Sequence, residues 1–199
     1  QSRAIEEALL RVSIPYRIYG GLRFYERLEI KNAIAYLRVV FNNNDNPSFE
    51  RSISNPTRGV GEKTLGKIRQ AAKKYNISYI KASAKLIDEG LISGRGGAGL
   101  RDYLEFIAGC KGFIEENTLS ELMELIIKET GLYAYHAKEA GEKGKTRTEN
   151  LEELITATKN FEQSIKDERT NIEIAESYLD IISLDSGDRQ ASEYDDAAQ

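Results

Sequence analysis

Cysteine and histidine each occur once in the 199 residues, as Cys110 and His136. A lone cysteine excludes an internal disulfide framework and fits a reducing compartment. One cysteine and one histidine do not suffice for a zinc ligand set, nor for a credible Ser-His or Cys-His nucleophile pair. The adjacent carboxylates Glu115-Glu116 and Asp195-Asp196 read as solvated helix ends rather than a metal site. No apolar run approaches the ~20 residues that span a bilayer, and no basic-then-apolar leader opens the chain. These absences lead us to expect no catalytic residue, no metal and no membrane partner, and a cytoplasmic location. Strand signals are sparse as well.

What is present is a helical pattern. Hydrophobic residues make up 40% and charged residues 30% of the chain, the composition of a soluble globular protein large enough for one sizeable domain. Between Glu26 and Phe41, the apolar residues Ile30, Ala33, Ile34, Leu37, Val40 and Phe41 recur at steps of three and four, which lines one face of a helix. Asn42 through Asp45 stop that helix, and Asn46-Pro47 is a cap followed by a helix-starting proline. Thr118-Leu119-Ser120-Glu121 has capping-box spacing ahead of a helix that Gly131 ends. A further helix runs through Leu151, Leu154, Ile155 and Ala157 and ends before the charged stretch after Phe161. At the start, Arg3–Leu10 reads as a short helix and Pro15–Tyr19 as a brief extended segment, too little for a sheet of its own. The expected fold is therefore all-α and multi-helix, with a small α/β remnant over residues 1–21, a helical domain over 22–180 and an acidic return linker over 181–199.

Charge is strongly segregated. Residues 51–81 hold eight basic side chains against the single acid Glu62, a net of +7, while residues 161–199 hold three against eleven, a net of −8. The basic island contains Asn55-Pro56-Thr57-Arg58-Gly59-Val60-Gly61-Glu62-Lys63-Thr64, the layout of a helix-hairpin-helix turn. Two glycines permit positive φ and expose bare backbone amides at the start of the second helix, where the dipole also favours an anion. Val60 would plug the turn into the core. Lys63 and Lys67, one turn apart, would reach flanking phosphates without reading bases. The bland alternative is a tight connector between packed helices, and the basic island favours phosphate.

Two other glycine-rich stretches compete for attention. Gly141-Glu142-Lys143-Gly144-Lys145-Thr146 ends like a nucleotide-binding P-loop, but the required glycine five residues before Gly144 is Glu139, so a mobile loop leading into a helix after Thr146 is the better reading. Lys143, Lys145 and Arg147 would there touch a DNA backbone. Ser93-Gly94-Arg95-Gly96-Gly97-Ala98-Gly99 could imitate the hairpin turn and contact DNA, with Leu100, Leu104 and Ile107 as the apolar face of the following helix, but so many glycines read mainly as a flexible linker between two helical halves. The expected DNA-binding set is Thr57, Arg58, Gly59, Val60, Gly61, Lys63, Thr64, Lys67, Lys145, Thr146 and Arg147.

A family resemblance rests on particular residues: Glu7-Ala8-Leu9-Leu10, the run from Ile14 through Tyr19-Gly20-Gly21 to Arg27, Glu29-Ile30-Lys31, Thr57–Gly61, and the run from Gly141 to Leu154. These resemble UvrD/Rep/PcrA superfamily 1 DNA helicases over nearly the whole chain, more weakly over 77–116 and after 161. The resemblance implies a parent in which two RecA-like motor domains hydrolyse ATP with magnesium and move 3′-to-5′ on single-stranded DNA. It implies that this chain corresponds to the helical 2B subdomain plus a sliver of the 2A motor domain, without the ATP-binding loop, magnesium-binding acids or arginine fingers. The implied partners are double-stranded DNA or a single-strand/double-strand junction, the remaining motor domains, and DNA repair proteins. A rival reading is a protein-docking module of a repair factor with no DNA affinity of its own.

Overall fold

The computed structural model describes residues 22–196, with side chains over 23–183. The expected helix at Arg3–Leu10, the extended segment at Pro15–Tyr19 and the α/β remnant they would form lie outside those residues. The described chain is helical and contains no strand. A 3₁₀ segment, Leu22–Glu26, leads to α1 (Leu28–Phe41), α2 (Asn46–Ile53), α3 (Glu62–Tyr75), α4 (Tyr79–Asp88), α5 (Gly94–Glu116), α6 (Leu119–Glu129), α7 (Leu132–Ala137), α8 (Glu142–Ser164) and α9 (Asn171–Asp196).

The central element is α1. Its buried residues, among them Ile30, Ala33, Tyr36, Leu37, Val39 and Val40, lie on most of its circumference, as a helix surrounded by others requires. It packs against α2, α5, α6 and α8. At its end the Asp45 carboxylate accepts the Ser48 amide (3.1 Å) and caps α2, so the cap falls one residue before the Asn46 expected from sequence. Asn46 is the first helical residue, and its side chain accepts the amide of Tyr79 at the start of α4 (3.1 Å). The Thr118 capping box forms as its spacing predicts, with both reciprocal bonds present. Gly131 follows α6 at φ 85°, the left-handed conformation in which glycine ends helices.

Three expectations are revised. Ser93–Gly99 is not a flexible linker: α5 starts at Gly94 and continues for 23 residues. A Cβ on Gly96 would stand 2.9 Å from the Gly59 carbonyl oxygen, and one on Gly99 only 2.1 Å from that of Arg58, so these glycines let a helix lie directly on the hairpin turn. Gly141–Thr146 is not a mobile loop: α8 begins at Glu142, and a Cβ on Gly144 would meet the Glu139 carbonyl at 2.3 Å. Helix α8 ends at Ser164, ahead of the charged residues 166–169 as expected, whereas α9 carries helix into the acidic tail as far as Asp196.

The core includes the fully buried rings of Tyr36, Phe49, Tyr103 and Phe161. Tyr103 lies edge-on to Phe49 at 5.4 Å and its hydroxyl shares a 2.6 Å hydrogen bond with that of Ser52, which joins α5 to α2. A polar cluster joins α1, α7 and α8. The buried Glu29 carboxylate accepts from Asn150 Nδ2 (2.7 Å), and Arg147 donates to both oxygens of Glu139 (2.7 and 3.0 Å) while lying 3.8 Å from Glu29. A buried carboxylate persists only where such donors surround it.

Candidate nucleic-acid interface

The turn between α2 and α3 is built from residues with opposed requirements. Val60 is 7% exposed and anchors the turn in the core, while Gly59 and Gly61 on either side are exposed. Gly59 has φ +76°, a conformation that costs an L side chain roughly 1 kcal/mol or more. Gly61 occupies the N-cap of α3 with φ −96° and ψ −175° and contributes no side-chain cap. The first turn of α3 is consequently open. Among the described residues no acceptor takes the amides of Gly59, Gly61, Glu62, Lys63 or Thr64, and pairing begins with Leu65 N–H to Gly61 O at 3.0 Å. A Cβ on Gly61 would meet nothing within 4 Å, so an anion has clear access to those amides.

The local electrostatics favour that anion. Glu62, the only acid in the basic island, is paired with Arg69 at 2.5 Å, and Arg69 also binds Glu50 at 2.6 Å. This leaves the first turn of α3 with the helix dipole and an exposed Lys63 that has no ion-pair partner among the described residues. Thr57 is exposed and Thr64 half-buried beside it.

Other members of the expected set are engaged within the protein. Arg58 turns inward: it donates to the carbonyls of Ser52 (3.0 Å), Pro56 (3.1 Å) and Thr130 (3.4 Å) and to the Tyr36 hydroxyl. Its guanidinium stands 5.3 Å from the Tyr36 ring centre and 5.6 Å from that of Tyr103. Burial pushes the Tyr36 hydroxyl up to about 12 despite that cation. Lys67 is exposed, but its ammonium donates to the Leu91 carbonyl at 3.0 Å and so ties α3 to the segment before α5. Arg147 belongs to the Glu139 and Glu29 cluster, whereas Lys145 and Thr146 are exposed on the first turn of α8. The structure thus brings Thr57 through Lys67 together at one turn, with Lys145 to Arg147 on a separate element.

Arg95 lies in the glycine-rich stretch that sequence reasoning took mainly for a linker and left out of the DNA-binding set. Its Cγ lies 2.9 Å from where a Cβ on Gly59 would be, so its aliphatic stem crosses the bare face of the turn. Arg95 is exposed. The signal was the pair Gly96 and Gly99, three apart on one helix face, which marks close backbone packing rather than a flexible joint. Beside the turn, Arg95, Gly99, Asp102, Phe106, Glu129 and Thr130 help to line a cleft of about 540 Å³. Among the described residues no helix is long and apolar enough to cross a membrane.

Residues 1–89 match the family model described as UvrD-like helicase C-terminal domain. This chain is therefore part of a UvrD-type helicase C-terminal region. It is 41% identical over its full 199 residues to DNA helicase II of Escherichia coli (strain K12), covering 27% of that protein. It is 43% identical over 193 residues, 96% of this chain and 26% of the relative, to DNA helicase II of Haemophilus influenzae. It is 36% identical over 167 residues, 84% of this chain and 22% of the relative, to ATP-dependent DNA helicase PcrA of Bacillus subtilis (strain 168). The chain spans about a quarter of the length of these relatives. It is a fragment of the UvrD/Rep/PcrA type of superfamily 1 DNA helicase.

Proposed function

We propose that this chain is the duplex-gripping accessory region, the 2B type, of an ATP-dependent 3′-to-5′ DNA helicase acting in repair or replication. In this reading residues 22–180 form the helical domain, and residues 1–21 and 181–199 lead toward the 2A motor. ATP and magnesium act in the motor domains of the parent, and the partners are duplex DNA or a junction, those motor domains and repair proteins. The grip is independent of sequence, because amides and lysines meet phosphate rather than base edges.

One observation carries the reading: a run of unclaimed amides at the exposed start of α3, capped by a residue without a side chain and flanked by Lys63. The arrangement supplies hydrogen-bond donors, positive potential and room for a phosphate. Fluorescence anisotropy of a short duplex titrated with the chain tests it. Binding is expected to weaken with salt at a log-log slope of about 0.9 per phosphate contacted, and Lys63→Glu is expected to lower both affinity and slope. A chain that binds no duplex at low salt, or a Lys63→Glu variant that binds as well as the original, would refute the proposal.

A further inference from the structure

We infer that Arg95, at the start of α5, is a second arm of the phosphate grip, taking the phosphate next along the strand from the one met by the α3 amides. This rests on the reading of the turn given above and adds to it a residue on a different helix. Four observations converge on it. The Arg95 stem lies across Gly59, whose missing side chain makes the room. The backbone beneath is interlocked with the turn, since Gly96 faces the Gly59 carbonyl and Gly99 the Arg58 carbonyl at distances that admit no Cβ, so Arg95 and the amides are held as one unit. Arg95 is exposed, and among the described residues no acid or carbonyl pairs with its guanidinium. The adjoining cleft is lined by Arg58 and Arg95 as well as by the carboxylates of Asp102 and Glu129, so its interior offers no net positive charge to compete with the turn for an anion.

The chemistry suits the residue. A guanidinium presents a planar fork that engages two phosphate oxygens at once, which the point charge of Lys63 does not. Successive phosphates on one strand advance by about 3.4 Å along the duplex axis and stand roughly twice as far apart through space, so the second arm requires the Arg95 side chain to extend from Cγ away from the turn. The α3 amides and Arg95 would therefore fix two neighbouring phosphates from two helices, giving the strand a direction as well as a point of attachment.

The test separates this role from simple packing. Arg95→Gln keeps most of the stem over Gly59 and removes the charge, and Arg95→Lys keeps the charge and removes the fork. Anisotropy with a duplex of about 20 base pairs, over a range of salt, is run on both variants, on Lys63→Glu and on the unaltered 199-residue chain, with a thermal melt for each. Arg95→Gln is expected to bind roughly three- to ten-fold more weakly with the slope reduced by about 0.9, and with its melting temperature unchanged. Arg95→Lys is expected to retain the slope and lose part of the affinity. If Lys63→Glu loses binding while Arg95→Gln keeps the original affinity and slope, the second arm is refuted and the turn stands. If the unaltered chain binds no duplex, both fail. If Arg95→Gln melts earlier and its slope is intact, Arg95 is a packing residue and the inference is wrong.

Discussion

Replacing Gly61 by aspartate should make the fold more stable and the DNA grip weaker. The N-cap backbone there, at φ −96° and ψ −175°, is open to any L-residue, and no atom lies within 4 Å of the position of a Cβ. The introduced carboxylate would accept the amides of Lys63 or Thr64, which have no acceptor among the described residues. Aspartate exceeds glycine at an N-cap by a few tenths of a kcal/mol, and a negative charge at a helix start adds about 0.3–1 kcal/mol. The neighbouring Glu62 opposes part of this, but Arg69 already draws its charge aside. A net gain of roughly 0.5 kcal/mol follows, a rise in melting temperature of about 1–2 °C for a domain of this size. The same carboxylate takes the amides from the phosphate and sets a like charge against it. Losing charge-assisted hydrogen bonds worth about 1.5–3 kcal/mol lowers duplex affinity by roughly ten- to 150-fold. A thermal melt and a salt-dependent anisotropy titration read the two effects, and Gly61→Ala, which adds a methyl without an acceptor, serves as control. Damage to the fold would move stability and binding in the same direction. A variant with raised stability and unchanged affinity would refute the claim that these amides meet phosphate, and a variant with lowered stability would refute the described cap geometry.

The glycines should separate by the space around them. Gly66 lies within α3 with nothing within 4 Å of an added Cβ, so Gly66→Ala should stabilise by about 0.5–1 kcal/mol; Gly99→Ala and Gly144→Ala drive a methyl into a carbonyl oxygen and should destabilise by at least about 1–3 kcal/mol in chemical denaturation. Arg58→Met keeps much of the volume but leaves the Ser52, Pro56 and Thr130 carbonyls without their donor, so it should cost about 2–4 kcal/mol while the salt slope of DNA binding by the folded protein stays unchanged. The Cys110 thiol is 1% exposed, and burial pushes its pKa up to about 12. Thiol-reactive dye should therefore label it only at the rate of unfolding, and rapid labelling of the native chain would contradict its placement. The His136 hydrogen bond and Arg147 hold the Glu139 carboxyl below its ordinary value, so its contribution is fully present above the ordinary carboxylate range and lost as pH falls through the depressed value. Glu139→Gln should accordingly flatten the acid side of the stability-pH curve.

What could be read from sequence was local. The buried face of α1, the Thr118 capping box and the Gly59-Val60-Gly61 turn each depend on residues within a few positions of one another, and spacing alone reveals such features. Arg58 was assigned to DNA because it lies in a basic island beside a glycine. Its inward course depends on Tyr36, Tyr103 and Thr130, contributed by other parts of the chain, and no local pattern announces them. The two glycine-rich stretches misled for a related reason. Glycine within a helix costs about 1 kcal/mol relative to alanine, so a run of it normally signals a loop. That penalty is smaller than the clash of a Cβ 2.1 or 2.3 Å from a carbonyl oxygen, and where helices must approach that closely the glycines are what make the packing possible.

One residue type therefore performs three separable tasks around the turn. Gly59 supplies a left-handed bend and room for the Arg95 stem, Gly61 leaves a helix start open, and Gly96 and Gly99 let α5 support the bend from beneath. The third task bears on the second. Free amides on a mobile loop would have to be ordered by the phosphate, at about 1–2 kcal/mol per residue. Here Val60 in the core, Arg58 across the carbonyls at the end of α2, and the bare face of α5 fix the bend before any ligand arrives. Little of the binding energy is then spent on ordering, and weak, sequence-independent contacts suffice to hold a duplex. Loosening that support without touching an amide or a charge, as Gly99→Ala would in whatever fraction stays folded, should weaken the grip while leaving the number of phosphates contacted, and hence the salt slope, the same. A slope that fell together with affinity in that variant would show that the support does more than preorganise.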